Sequence, residues 1–145
     1  MAGPSTRFGG PGQSPGFLLW RATLAWQRAI RAALAPHDLT HVQFVLLASL
    51  WWLTERDEPP TQAALAAQAG TDAMMTSQVV RRLEQAGLLE RRPHPRDTRA
   101  RQLALTPAGR ARLTGALADV EAADAEFFGR VRDPAALVAA LSELA

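Results

Sequence analysis

The sequence predicts a mainly α-helical fold that carries one small β-hairpin, and three observations support this fold class. Apolar residues recur every three or four positions over most of the chain after residue 16. Threonine or aspartate, in two cases followed by proline, precedes the helical segments as a start signal. Two short stretches, Leu88 to Arg92 and Arg101 to Leu105, flank a loop with two prolines and predict the strands.

Composition limits the class of protein. The chain has 145 residues, 48% of them hydrophobic, which suffices for one modest core. Residues 1–16 are rich in glycine and proline and predict a flexible tail. Cysteine is absent, which excludes disulfides, thiolate metal sites and oxidant sensing through a thiol. The longest apolar stretch, Phe44 to Leu53, falls short of the roughly 20 residues of a spanning helix. We expect a cytoplasmic protein without a membrane partner.

The first two helices are predicted from periodicity and capping. Phe17 to Leu34 should form a helix buried on two sides and ended by Pro36. Its apolar stripes are Leu19, Trp26, Ile30 and Leu34 on one side and Trp20 and Leu24 on the other. Thr40 and Gln43 form a capping box, with Leu39 and Phe44 at the positions of a hydrophobic staple. Phe44 to Leu53 is apolar almost all round, as in a central core helix.

Two short helices and the hairpin follow. Thr61 caps a helix that ends at Gly70, and Asp72 caps a second helix that ends at Gly87. The second helix should turn inward the side chains of Thr76, Val79, Val80 and Leu83. Two short helices that meet at a glycine-containing turn form a helix-turn-helix. The two strands after it are then the wing of a winged helix-turn-helix.

The remaining residues predict a long helix and a short one. Thr106 with Pro107, and Asp133 with Pro134, each place a cap before a proline at the first helical position. The apolar stripe of the long helix is Leu113, Leu117, Val120, Phe127 and Val131, and that of the last helix is Leu137, Leu141 and Leu144. A helix this apolar on a small chain needs a partner, either the first helix or a second protomer.

Charge is unevenly distributed along the chain. Residues 81–101 contain seven arginines and three carboxylates, whereas residues 117–145 contain six carboxylates and two arginines. A basic middle predicts a face for a polyanion, and an acidic end predicts a different partner. All sixteen basic residues are arginine, so the arginine content itself reflects coding bias as much as chemistry.

The run from residue 97 to residue 109 carries a family resemblance. It contains Asp97, Thr98, Arg99 and Ala100, then Leu103, Leu105, Thr106 and Gly109. This D-x-R-[AS] tip before L-x-L-T-x-x-G, with a helix-turn-helix ahead of it, resembles the wing of the MarR (multiple antibiotic resistance regulator) family over residues 17–145. The resemblance implies an obligate-type homodimer with a DNA-binding lobe at residues 37–106. It also implies a helical dimerisation region at residues 17–36 and 107–145.

The resemblance further implies sequence-specific regulation of transcription, by repression more often than activation. The partner would be a palindromic double-stranded operator with half-sites about one turn, roughly 10 bp, apart. Arg99 would enter the minor groove, with its guanidinium oriented by Asp97. From the residues alone, a surface ion pair between these two side chains is the alternative.

The recognition helix, over about Ala73 to Ala86, should present to the major groove Met74, Met75, Ser77, Gln78 and Arg81. Packing under the wing is the alternative for the two methionines. The expected phosphate contacts are Arg82, Arg91, Arg92, Arg96 and Arg101.

A small aromatic or amphipathic ligand could release the DNA. The tryptophans at 20, 26, 51 and 52 lie on the two helices that border the effector cleft in MarR proteins. The candidate ligand residues are Trp20, Leu24, His41, Phe44 and Trp51; packing in the core or the dimer is the alternative. We expect no metal, no cofactor and no catalytic site, and therefore no enzyme. The alternative functions are a winged-helix protein-interaction module without specific DNA binding and a small-ligand carrier.

Overall fold

A computed structural model describes residues 1, 3–97 and 99–145. In this part of the chain the elements are α1 (Pro15–Leu34), α2 (His41–Arg56), α3 (Gln62–Ala69), α4 (Ala73–Gln85), β1 (Leu89–Pro93), β2 (Arg101–Leu105), α5 (Pro107–Phe128) and α6 (Pro134–Leu144). Short 3-10 turns precede and follow α1, at Pro11–Gln13 and Ala35–His37. The predicted fold class is confirmed, with the first strand displaced by one residue. No helix within the described residues combines the length and apolarity that crossing a membrane requires.

Side-chain caps fix where the six helices begin. Five of the caps were predicted, and each accepts a hydrogen bond from a backbone N–H in the first turn. The capping box is complete: Gln43 N donates to Thr40 Oγ1 over 3.2 Å, and Thr40 N donates to Gln43 Oε1 over 3.0 Å. The sixth cap is Ser14, which accepts from Phe17 N. Because Pro15 follows this cap, α1 begins two residues earlier than predicted.

The core surrounds α2, as its all-round apolar pattern predicted. Buried residues of α2 are Phe44, Leu46, Leu47 and Leu50, and they belong to one cluster with the end of α1, the helix-turn-helix, the strands and the first half of α5. Burial of this apolar surface is the main source of stability for the lobe.

The wing is tied to the helix-turn-helix by backbone bonds. β1 and β2 are antiparallel, with Leu89 opposite Leu105 and Pro93 opposite Arg101. On its other edge β2 contacts the segment before α3, where Leu103 N donates to the carbonyl of Pro60 over 2.8 Å. The base of the wing therefore moves with α3, and only the loop beyond Pro93 extends from the lobe.

In the single chain only one side of α1 is buried. The predicted burial of its second side is therefore not met by contacts within one chain. Ile30 and Leu34 are fully buried, but Trp20 is 62% exposed, and Leu24, the other residue of the second stripe, is exposed as well. None of the residues of α6 is buried, and Val131 lies beyond the end of α5. We call the exposed apolar residues of α1 and α6 the terminal surface: Phe17, Leu18, Leu19, Trp20, Leu24, Val138, Leu141 and Leu144.

Polar side chains join α1 and α2 to α5. Trp26 Nε1 donates to Asp124 Oδ1 over 2.7 Å, and the His41 ring meets the Trp26 ring edge-on, with centroids 5.0 Å apart. Burial lowers the pKa of His41, Arg31 lowers it further, and the carboxylate of Asp124 acts in the opposite direction. The neutral imidazole is thus the form that the folded chain favours.

We predict that substitution of Gly109 by alanine destabilises the fold. A Cβ at Gly109 would lie 1.8 Å from the carbonyl oxygen of Leu88, so α5 or the turn before β1 must shift. Forcing such overlap costs about 1–3 kcal/mol or more of unfolding free energy. Urea unfolding at a fixed protomer concentration measures the loss. Gly16→Ala is the control, because a Cβ there meets nothing within 4 Å; equal stability of the two variants would contradict the close approach.

We also predict that His41 makes stability fall at acid pH. Because its pKa in the folded chain lies below 6.5, the unfolded chain takes up the proton first as the pH drops below that value. Above about pH 6.5 the imidazole is neutral in both states and contributes nothing. The melting temperature of His41→Gln should therefore fall less than that of the wild type on acidification, while the two curves run parallel at alkaline pH. Identical curves over the acid range would refute the role of His41.

Candidate nucleic-acid interface

The turn between α3 and α4 is held by side-chain hydroxyls. Asp72 Oδ1 accepts from Met75 N over 2.7 Å and begins α4. The fully buried Thr76 donates its hydroxyl to the carbonyl of Asp72 and contacts the hydroxyl of Thr71, each over 2.7 Å. Val80 and Leu83 complete the buried face. The predicted inward face of α4 is confirmed, and the orientation of the opposite face is fixed by it.

The opposite face of α4 is open to solvent. Met74 is 74% exposed and Met75 43% exposed, so the alternative that both pack under the wing is wrong. Ser77 is half-buried, while Gln78 and Arg81 are exposed on the same helix. All five side chains predicted for the major groove thus lie on the accessible side of α4.

Turns form the described part of the wing tip, which we define as residues 94–97, 99 and 100. His94 N donates to the carbonyl of Ala100 over 3.3 Å, and Ala100 N donates to the carbonyl of Asp97 over 3.2 Å. Arg96, Asp97 and Arg99 are exposed there. Thr98, part of the sequence signature, lies outside the described residues.

Asp97 makes a backbone contact at the wing tip that the sequence did not predict. Its Oδ1 accepts from the backbone N–H of Arg99 over 2.9 Å, and the ion pairs among the described residues do not join the two side chains. An aspartate reaches a backbone N–H two residues later with little cost, since this is the geometry of an Asx turn. Asp97 therefore shapes the backbone of the tip, and within the described residues no ion pair joins it to Arg99. Its orientation of the Arg99 guanidinium on DNA stays a prediction.

The arginines of this surface fall into two groups. Three of them lie near carboxylates: Arg91 is 3.4 Å from Glu84, Arg92 pairs with Glu90, and Arg96 is 3.9 Å from Glu58. Four others have no ion pair within the described part of the chain: Arg81, Arg82, Arg99 and Arg101. Exposed pairs contribute about 0–1 kcal/mol, so the first group can exchange its carboxylates for phosphates at small cost.

The five candidate ligand residues are not gathered around one cavity. Trp20 and Leu24 are exposed on α1, Phe44 is buried in the core, and His41 and Trp51 are half-buried on α2. An apolar cavity of about 390 Å³ lies instead between α1, the end of α5 and α6, lined by Leu19, Ala22, Thr23, Trp26, Phe127, Phe128, Val131, Leu137 and Leu141. Sequence reasoning placed Trp26 and Phe127 in helix stripes but did not connect them, because they are about a hundred residues apart.

The described residues contain no group of three or more histidines and carboxylates that could hold a metal ion. His37 is instead bonded through Nε2 to Asp119 Oδ2 of α5, over 2.6 Å. The absence of metal and cofactor stays a prediction.

Comparisons with known proteins agree with this geometry. The MarR family model matches residues 39–100. YdcH of Bacillus subtilis, named as an HTH-type transcriptional regulator, is 46% identical over 96% of this chain and 95% of its own. The HTH-type transcriptional repressor Rv2887 of Mycobacterium tuberculosis is 34% identical over 82% of this chain and 83% of its own.

Solved structures share the fold over most of the chain. CouR from Rhodococcus jostii RHA1, bound to p-coumaroyl-CoA, has a TM-score of 0.80 and 28% identity, covering 94% of this chain and 92% of that one. The repressor CouR on a 23-mer DNA duplex has a TM-score of 0.81 and 28% identity, covering 97% and 99%. Together with the winged helix-turn-helix and its signature, these relatives show that the chain belongs to the MarR family of HTH-type transcriptional regulators.

Proposed function

We propose that the chain is a homodimeric, sequence-specific repressor that inserts α4 into the major groove of an operator and the wing tip into the adjacent minor groove. The observation that carries the proposal is a group of four exposed arginines on α4 and the wing that form no ion pair with any described residue: Arg81, Arg82, Arg99 and Arg101. Unpaired guanidinium groups on one surface attract a polyanion. The DNA-bound structure of CouR, which has the same fold, supports this use of the surface.

The side chains divide into those that contact base edges and those that contact phosphates and so position the protein on the duplex. Gln78 can form two hydrogen bonds to the major-groove edge of an adenine, one through each of its amide groups, and Met74 and Met75 suit the methyl group of thymine. Arg81 reaches a guanine or a phosphate, and Arg99 enters the narrow minor groove, where negative potential is concentrated. The expected phosphate contacts are Arg82, Arg91, Arg92, Arg96 and Arg101. Asp97 contributes to DNA binding by holding the backbone of the tip. Ser77 is half-buried on α4 and is the least accessible of the residues proposed for the major groove.

The terminal surface supports the homodimer. Its leucines, phenylalanine, valine and tryptophan are exposed apolar side chains on α1 and α6, and a second copy of the chain would bury them. Two-fold symmetry then requires a palindromic operator, with half-sites about 10 bp apart. The protein would act in the cytoplasm, with no enzymatic role.

Binding to DNA should be tight and strongly dependent on salt. We expect the logarithm of the association constant to fall steeply and linearly with the logarithm of salt concentration, because each neutralised phosphate releases counterions. Fluorescence anisotropy with labelled duplexes of mixed sequence measures this slope. Selection of bound duplexes from a random pool shows whether the preferred sequence is palindromic. A protein-interaction module or a small-ligand carrier would show no binding even at low salt.

Substitution of Arg99 should weaken this binding. Loss of a guanidinium from the minor groove should raise the Kd of Arg99→Ala by about 5- to 100-fold, equivalent to about 1–3 kcal/mol. Arg132→Ala removes the same charge before α6, at the other end of the 22-residue α5, and should bind as the wild type does. Sizing chromatography should find both variants dimeric. Equal affinity of the two variants would remove Arg99 from the interface.

We further propose that an aromatic carboxylate or its thioester releases the DNA. CouR, which has a similar fold, was solved with p-coumaroyl-CoA, a thioester of this kind. In this chain Trp26 lines the apolar cavity and also contacts the predicted ligand residue His41, so we place the ligand beside these two rings. The roles of Trp20, Leu24, Phe44 and Trp51 stay predictions.

Ligand binding and DNA release should occur together. A ligand that prefers the DNA-free conformation raises the melting temperature of the free protein and weakens its DNA binding. We would test p-coumaroyl-CoA and a panel of aromatic acids by thermal shift and by anisotropy of the bound duplex. Trp26→Phe should lose much of the response, whereas Trp52→Phe, on the exposed side of α2, should retain it. A panel without any effect on DNA binding would count against an aromatic effector.

A further inference from the structure

His94 occupies the junction between β1 and the wing tip. Its Nδ1 accepts two backbone hydrogen bonds, from Arg96 N over 3.0 Å and from Asp97 N over 3.1 Å. The backbone N–H of His94 donates to the carbonyl of Ala100 across the tip. His94 is half-buried, whereas the arginines of the tip are exposed. The imidazole thus holds the first half of the tip, as the carboxylate of Asp97 holds the second.

The tip needs such an acceptor because the strands no longer supply one. The strand pairing ends at Pro93 and Arg101, so the N–H groups of Arg96 and Asp97 lie beyond the ladder. Pro95 has no N–H of its own, and the next two backbone N–H groups donate to the ring of His94. One nitrogen lone pair then accepts from two successive donors. This requires that Nδ1 carry no proton and that the ring hydrogen lie on Nε2.

We infer that His94 is a positioning residue for DNA recognition: its unprotonated Nδ1 holds the wing tip in the conformation that presents Arg96 and Arg99 to DNA. The inference rests on the proposed function, in which the tip contacts DNA. An exposed loop of this length loses conformational freedom when it binds, and hydrogen bonds formed beforehand reduce that loss. The family signature begins only at Asp97 and assigns nothing to His94.

Three substitutions of His94 distinguish the effect of the acceptor at Nδ1 from that of the ring as a whole. Asparagine places Oδ1 where histidine has Nδ1, whereas glutamine places its amide near the position of Nε2. His94→Asn should therefore retain the affinity of the wild type, and His94→Gln and His94→Ala should each weaken it by about tenfold through the lost hydrogen bonds. The measurement is anisotropy with the selected duplex, with melting temperature and sizing as checks that each variant folds and dimerises.

A double substitution tests how His94 acts. If His94 works through Arg99, adding His94→Ala to Arg99→Ala should weaken DNA binding much less than His94→Ala does alone.

The outcomes distinguish this inference from the proposed function. If His94→Ala and His94→Gln bind as the wild type does while Arg99→Ala is weakened, the inference is wrong and the function stands. Weak binding by all three His94 variants, including asparagine, would also overturn the role of the Nδ1 acceptor. Absence of salt-dependent DNA binding in the wild type would instead overturn the function itself.

Discussion

The close approach of α5 to the turn before β1 is the constraint on which the rest of the structure depends. Gly109 lies beneath the carbonyl of Leu88, where no side chain fits. Thr106 secures the approach from the other side: its hydroxyl donates to the carbonyl of Gly87 over 2.6 Å and accepts from Gly109 N over 3.0 Å, and its N–H donates to Leu88. The wing and the first turn of α5 are therefore one rigid junction, and the DNA-contacting lobe cannot turn without moving the long helix.

This junction gives a physical route between the two ends of the molecule. α5 extends over roughly 33 Å, from the wing to the apolar cavity near Phe127, and Asp124 bonds to Trp26 near that far end. In the proposed effector mechanism, a ligand beside Trp26 changes the position of α5 relative to α1, and the junction at Gly109 carries that change to the wing. The effect on DNA affinity is limited by the difference in the ligand's affinity for the two conformations.

Local chemistry made much of the fold predictable, and distant contacts account for what was missed. The capping box of Thr40 and the turn at Gly70 depend on neighbours within a few residues, so the sequence alone located them. The bond between Trp26 and Asp124 joins positions 98 residues apart, and no pattern within one helix indicates it. In the proposed homodimer a second chain covers the exposed stripe of α1, and the contacts within one chain do not determine that burial. At the wing tip the sequence identified the residues, but the partner of Asp97 depends on the backbone turn.

The same surface shows how affinity and specificity can be set by different residues. Ion pairs such as Arg91 with Glu84 lower the net positive charge of the free protein, yet they are exposed and easily exchanged for phosphates. They moderate attraction to any DNA and leave the discrimination between sequences to α4. There the exposed Met74 and Met75 have no polar group to bond to bases. In the proposed complex their fit to thymine methyl groups is steric and apolar, so the operator should differ in character from one read through arginine and guanine.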